Sequence, residues 1–197
     1  MDDTSKLNAI AAENGGIITT KAAAACGISR AVLSLLNKNG IIQRISQGQY
    51  VIADELQDEL LSISMRSPNI ILSHETALWL HGISDRTPFV HSVTLPRDKR
   101  PSLSIREDCK VYFVSPDLFE LGKTTLKTPA GNNVVSYNLE RTICDCIRSR
   151  NKMGSETFLA ALKAYAGRKD KNLNLLYSYA EKMRVASVLR KYLEVLL

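Results

Sequence analysis

The chain has 197 residues, 45% of them hydrophobic, and carries 26 Lys and Arg against 20 Asp and Glu for a formal net charge of +6. These proportions exclude a disordered chain and suit one generous domain or two modest ones. No apolar run approaches the roughly 20 residues that cross a bilayer. Asp2 and Asp3 stand where a signal peptide would be basic, so a cytoplasmic protein without membrane contact is expected.

Leu7, Ile10 and Ala11 suggest a first amphipathic helix, with Thr4 or Ser5 to cap it and Gly15-Gly16 to stop it. A short second helix follows Thr19-Thr20; its body, Lys21 to Cys26, is rich in alanine and open to close helix approach, and Gly27 supplies the left-handed turn that ends it. Ser29 is a good N-cap for a third helix running to about Asn39 and closed by Gly40. The alternation from Ile42 to Gln47, resumed at Gln49 to Ile52 after Gly48, reads as a hairpin.

Residues 55 to 66 predict a connecting helix that Pro68 cannot continue. A helix from Ser73 to Gly82 presents Ala77, Leu78 and the single tryptophan, Trp79, to a core. Strands are expected at His91–Leu95, Lys110–Val114 and Lys123–Lys127, then at Val134–Tyr137 after the turn Pro129-Ala-Gly-Asn-Asn133. From Asn138 the pattern is helical, with Asn138 and Ser155 as caps, Gly167 as a stop, and Leu189, Leu193 and Leu196 as a last apolar stripe. The fold class is therefore α+β. A winged helix-turn-helix occupies 1–55, a connecting helix or linker 56–69, and a C-terminal domain 70–197, with a small mixed sheet in 70–137 and a helical bundle in 138–197.

Helix, short helix, tight turn, helix and hairpin within the first fifty-odd residues is the element order of a winged helix-turn-helix, whose helix after the turn fits the major groove of double-stranded DNA. Leu33 and Leu36 anchor that helix inward, while Arg30, Ser34 and Lys38 recur every four residues on another face. Arg30 is the candidate for a bidentate base contact, Ser29 and Ser34 for phosphate or base edges, and Lys38 for the backbone. Arg44 and Gln47 frame the wing. Thr20 and Lys21 lie at the start of the second helix, whose free amides are expected to meet a phosphate.

Charge is unevenly placed. Residues 1–55 hold five basic residues (6, 21, 30, 38, 44) and five acidic ones (2, 3, 13, 54, 55), whereas residues 141–197 hold twelve basic against five acidic. The surplus marks Arg148, Arg150, Lys152, Arg168, Lys169 and Lys171 as a candidate polyanion-contacting patch, because phosphate neutralisation supplies most non-specific affinity.

Enzyme motifs fail on spacing. His74-Glu75 lacks a second histidine four residues after the first, since position 78 is leucine. His81 lies seven residues from His74, and no third ligand is fixed. Cys144 and Cys146, two apart on a helix, point away from each other, and the four cysteines lack metal-ribbon spacing. No glycine-rich phosphate loop and no Gly-x-Ser-x-Gly elbow occurs, and Ser155 after Gly154 is explained as a cap. No metal, cofactor or catalytic residue is expected.

The segments Ser73-His-Glu-Thr-Ala-Leu-Trp-Leu-His-Gly-Ile83, Val93-Thr-Leu-Pro-Arg-Asp-Lys-Arg100 and Leu139-Glu-Arg-Thr-Ile-Cys-Asp145 follow the winged helix in order. Together with it they resemble the AbiEi family of antitoxins from type IV toxin–antitoxin and abortive-infection systems. The resemblance implies a bifunctional protein whose N-terminal domain represses its own operon by binding promoter repeats. Its C-terminal domain would oppose a nucleotidyltransferase-like toxin without a stable complex. Within the third segment Glu140 and Arg141 suggest an ion pair, with Thr142 and Asp145 near a helix start. A winged-helix transcription factor whose C-terminal domain senses a small ligand is the alternative, and it requires an enclosed pocket.

Overall fold

The structure, a computed structural model, describes residues 2–196; the side chains of Val195 and Leu196 lie outside the described residues. Two compact units form, one of residues Met1–Arg66 with Thr128–Asn132 and one of residues Ser67–Lys127 with Asn133–Leu197.

The first unit runs α1 (Asp3–Glu13), β1 (Ile18–Thr19), α2 (Thr20–Ala25), α3 (Arg30–Lys38), β2 (Ile42–Ser46), β3 (Gln49–Ile52) and α4 (Glu59–Met65). Its core is Leu7, Ile10, Ala11, Ile18, Ala23, Ile28, Leu33 and Ile42. Each of the larger aliphatic side chains among them contributes about 1.5–3 kcal/mol by leaving water. Asp2 caps α1 in place of the expected Thr4 or Ser5, accepting from the Ser5 amide at 2.8 Å. A carboxylate at that end also meets the positive pole of the helix. The hairpin β2–β3 gains a third strand, in the order β1-β3-β2, with Ile18 opposite Tyr50. Gln49 turns inward from β3, where its amide accepts from the Ser62 hydroxyl at 2.7 Å and donates to the Ser62 carbonyl at 3.1 Å.

Asp58 caps α4 and is buried. Besides the Leu61 amide it accepts from the Thr128 hydroxyl at 2.5 Å and the Asn132 amide at 2.8 Å, so a segment from far along the chain completes this unit. Gly15 stands where a Cβ would fall 2.5 Å from the Asn132 side-chain oxygen and 2.6 Å from Leu61.

The second unit contains β4 (Ile71–Leu72), α5 (His74–Leu80), β5 (His91–Pro96), α6 (Leu103–Asp108), β6 (Cys109–Val114), α7 (Pro116–Phe119), β7 (Lys123–Lys127) and β8 (Asn133–Tyr137). There follow α8 (Leu139–Arg148), a 3-10 turn (Arg150–Lys152), α9 (Ser155–Gly167), α10 (Leu173–Lys182) and α11 (Ala186–Leu196). The sheet is mixed, ordered β6-β5-β4-β8-β7, with β5–β6 and β4–β8 parallel and the other pairs antiparallel. The short, buried β4 joins its two halves. Ala77 and Leu78 enter the core as expected, while Trp79 stays half-buried.

Helix α8 is buried at every position from Leu139 to Ile147, amid the other C-terminal helices. The expected Glu140–Arg141 pair is replaced by two separate arrangements, because neighbours in a helix point about 100° apart whereas residues four apart align. Arg141 donates to Asp145 at 3.1 Å and to the Leu118 and Leu121 carbonyls at 2.6 and 2.7 Å, with its guanidinium 4.1 Å from the Tyr137 ring centre. Glu140 accepts from the Asn172 amide at 3.0 Å and the Tyr165 hydroxyl at 3.4 Å. Asp145 therefore sits late in α8, a full turn past its start. Gly154, not Ser155, holds the N-cap position of α9. Leu189 and Leu193 are buried as the last apolar stripe requires; Leu196 falls outside the described side chains.

Candidate nucleic-acid interface

The interface is built on how α3 is started, stopped and braced. Ser29 accepts from the Val32 amide at 3.3 Å, satisfying an orphan donor at the helix start. At the other end Gly40, at φ 72°, permits the paired bonds from Gly40 to the Asn37 carbonyl and from Ile41 to the Leu36 carbonyl, at 3.2 and 3.0 Å. Leu33 is fully buried beneath the helix, with Val32 and Leu36 packed beside it. Ser29, Arg30, Ser34 and Lys38 are all exposed.

The wing is tied directly to that helix. Asn37 uses its side-chain oxygen to accept the Arg44 amide of β2 at 2.8 Å. Arg44 in turn donates from Nε to the Ser46 carbonyl at 3.3 Å, across a break in the β2–β3 register. The Arg44 and Gln47 side chains are exposed at the tip.

The start of α2 differs from expectation. Thr19, rather than Thr20, is its cap, accepting from Ala22 at 3.1 Å, and the Thr20 amide donates to the Gly48 carbonyl at 2.9 Å. The strand β1 delivers this end against the wing turn, so the Thr20 and Ala22 amides are not free; the Lys21 side chain is exposed beside the Thr20 hydroxyl. Two residues outside the sequence reading join the exposed face of α3, Ala31 and Leu35, the latter 56% exposed. Their spacing of four was the available signal, overshadowed by the adjacent Leu33 and Leu36.

The basic residues of the second unit do not form one uniform surface. Arg148 and Lys152 line a cavity with Arg97, whereas Lys169 and Lys171 line a concavity in the α9–α10 connection. Arg168 is engaged by Asp170, with two contacts at 2.7 Å that raise the guanidinium pKa, and by the His81 carbonyl. Arg150 donates to the Ile147 carbonyl at 3.1 Å and Lys171 to the Arg168 carbonyl at 3.0 Å. His81 contacts the Tyr137 carbonyl at 2.8 Å. Among the described residues no group of three or more His, Cys, Asp or Glu is placed to hold a metal ion, and no helix is long and apolar enough to cross a membrane.

Residues 5–53 match a family model described as a transcriptional regulator, AbiEi antitoxin. No curated protein matches the chain. The crystal structure of the RV2827C protein from Mycobacterium tuberculosis is similar to it, with a TM-score of 0.67 at 17% sequence identity, over 96% of this chain and 76% of that one. At that identity the likeness speaks for the fold alone, and the α+β architecture is common to both.

Proposed function

We propose that the protein, whose residues 5–53 match the family model of AbiEi antitoxin transcriptional regulators, binds the promoter of its own operon and represses it. The reading rests on one observation: Arg30, Ser34 and Lys38 stand exposed on a helix that is capped, terminated and braced by a wing. Helix α3 enters the major groove, Arg30 reads a base edge, Ser29, Ser34 and Lys38 hold phosphates or edges, and Leu35 offers its apolar surface to a thymine methyl. Lys21 and Thr20 approach the backbone beside it, and Arg44 and Gln47 do so from the wing.

The C-terminal unit, on this proposal, opposes a nucleotidyltransferase-like toxin in the cytoplasm without forming a stable complex, as part of a defence against phage. The test is a gel-shift titration of the full chain on the DNA preceding its own gene. Sequence-specific retardation, lost in an Arg30→Ala/Lys38→Ala double variant, is the expected result. Equal affinity for promoter and unrelated duplex would overturn it. Rescue of growth on co-expression with the product of the adjacent reading frame tests the antitoxin half.

A further inference from the structure

We propose that the second unit holds a binding site for the phosphate group of a small organic phosphate monoester, in the cavity of about 280 Å³ lined by Arg97, Tyr112, Phe113, Arg148, Ser149 and Lys152. The inference does not depend on the DNA-binding reading.

Three cations line this cavity, and among the described residues none of them forms an ion pair. The acid in the wall, Asp145, is taken by Arg141 at 3.1 Å, with both side chains at most 1% exposed. Lys110 nearby is committed as well, to Glu75 at 2.8 Å and to the Lys152 carbonyl at 2.8 Å. That second bond, with the Lys152 amide donating to the Ser149 carbonyl at 2.8 Å, fixes the turn that carries Lys152. At the end of α8 the Ile147 carbonyl is occupied by Arg150 and the Asp145 carbonyl by the Ser149 amide. Arg97 is set at the rim by its own amide, which donates to the Val114 carbonyl at 2.8 Å.

A buried chain of hydroxyls supplies a fourth donor. Thr94 donates to Ser73 at 2.8 Å, and the Ser73 oxygen lies 2.9 Å from His74 Nδ1. His74, stacked 3.4 Å from the Tyr112 ring and 2% exposed, has Nε2 3.1 Å from the Ser149 oxygen. In the tautomer this site requires, with the His74 proton on Nε2, Ser149 accepts at that bond and its own hydrogen is available to the cavity. His74 adopts φ 49°, a conformation that non-glycine residues keep where the surroundings over-determine it. It is a positioning residue. Three cations and an oriented hydroxyl match the oxygens of a dianionic phosphate, and Phe113, 44% exposed at the wall, suits an organic substituent. A cavity of this size admits a phosphate group and a small substituent, not a nucleic-acid duplex.

Calorimetric titration of the full chain with phenyl phosphate and with inorganic phosphate, at matched ionic strength and without DNA, tests the site. Expected are saturable one-to-one binding of both, tighter for phenyl phosphate, and about tenfold weaker binding in Arg148→Gln and in Lys152→Gln. Ser149→Ala should lose severalfold, and Lys169→Gln should lose nothing. Both cationic side chains are exposed, so melting curves of the variants should match wild type. The wild-type titration decides the matter even if a variant fails to fold. Absence of saturable binding, equal binding by the Arg148 and Lys152 variants, or displacement by unrelated duplex DNA at equal phosphate concentration overturns the proposal. None of these results bears on promoter recognition by α3.

Discussion

Arg30 opens α3, immediately after the Ser29 cap, and on the proposed function its side chain leaves the helix at the end that would enter the groove of a duplex. Arg30→Ala should cost about 1–3 kcal/mol of promoter binding and relax the preference at one base pair. Titration against a panel of single-base operator variants checks it, and unchanged selectivity would reject the assignment. His74 carries a different consequence. Burial, and after it the charges of Lys110, Arg141, Lys152 and Arg148, hold its pKa well below the ordinary 6.5. As pH falls past 6.5 the unfolded chain takes up a proton that the native site refuses, so the native state loses stability from this group on acidification. Asp145 opposes it, since burial, partly offset by Arg141, raises its carboxyl to about 6 and the native state gains as pH falls from there toward 3.8. His74→Asn isolates the histidine, asparagine being tolerant of a positive φ. Chemical denaturation from about pH 7 to about pH 5 should show the variant gaining on wild type; a pH-independent difference would sink the idea.

At the scale of elements, the joint between α3 and the wing turns on Asn37. Asn37→Ala removes the acceptor of the Arg44 amide and should cost about 0.5–1.5 kcal/mol of stability. The footprint under the wing should weaken while the contacts of α3 persist, which hydroxyl-radical protection of a promoter fragment measures. In the second unit, Gly122 has φ 74° and a Cβ there would fall 2.6 Å from Arg141 Cβ. Gly122→Ala should therefore lower the melting temperature through a displaced α8, read by calorimetry. Helix α3 was legible in the sequence because a cap, a stop and an apolar period coincide within one short stretch. Strands β1 and β4 were not, since two residues present no alternation and each is a strand only by virtue of a distant partner. Helices α6 and α7 are likewise too short to carry a period. The candidate interface followed from local pattern except at α2, where the Gly48 carbonyl, unseen in any linear reading, occupies an amide taken to be free.

At the scale of the whole molecule, charge counted along the chain says where basic residues concentrate but not which of them are available. Arg168 is paired with Asp170, whereas among the described residues the exposed Lys169 has no such partner. If that concavity contributes to promoter binding, Lys169→Gln should reduce the slope of log affinity against log salt by about 0.9; an identical slope would confine phosphate contacts to the winged helix. Asp58 marks the other large-scale feature, gathering the Leu61 amide, Thr128 and Asn132 at one buried carboxylate. Asp58→Ala strands all three donors and should cost about 3 kcal/mol, visible as a shifted denaturation midpoint. The same contact imposes an order on biosynthesis. A ribosome that has released residues 2–66 has delivered the described strands and helices of the first unit, yet two partners of Asp58 arrive only when Thr128 and Asn132 follow. A chain cut between those points would carry the helices and strands of the first unit but lack its final clasp, and its early portion stays unlatched until the later residues emerge.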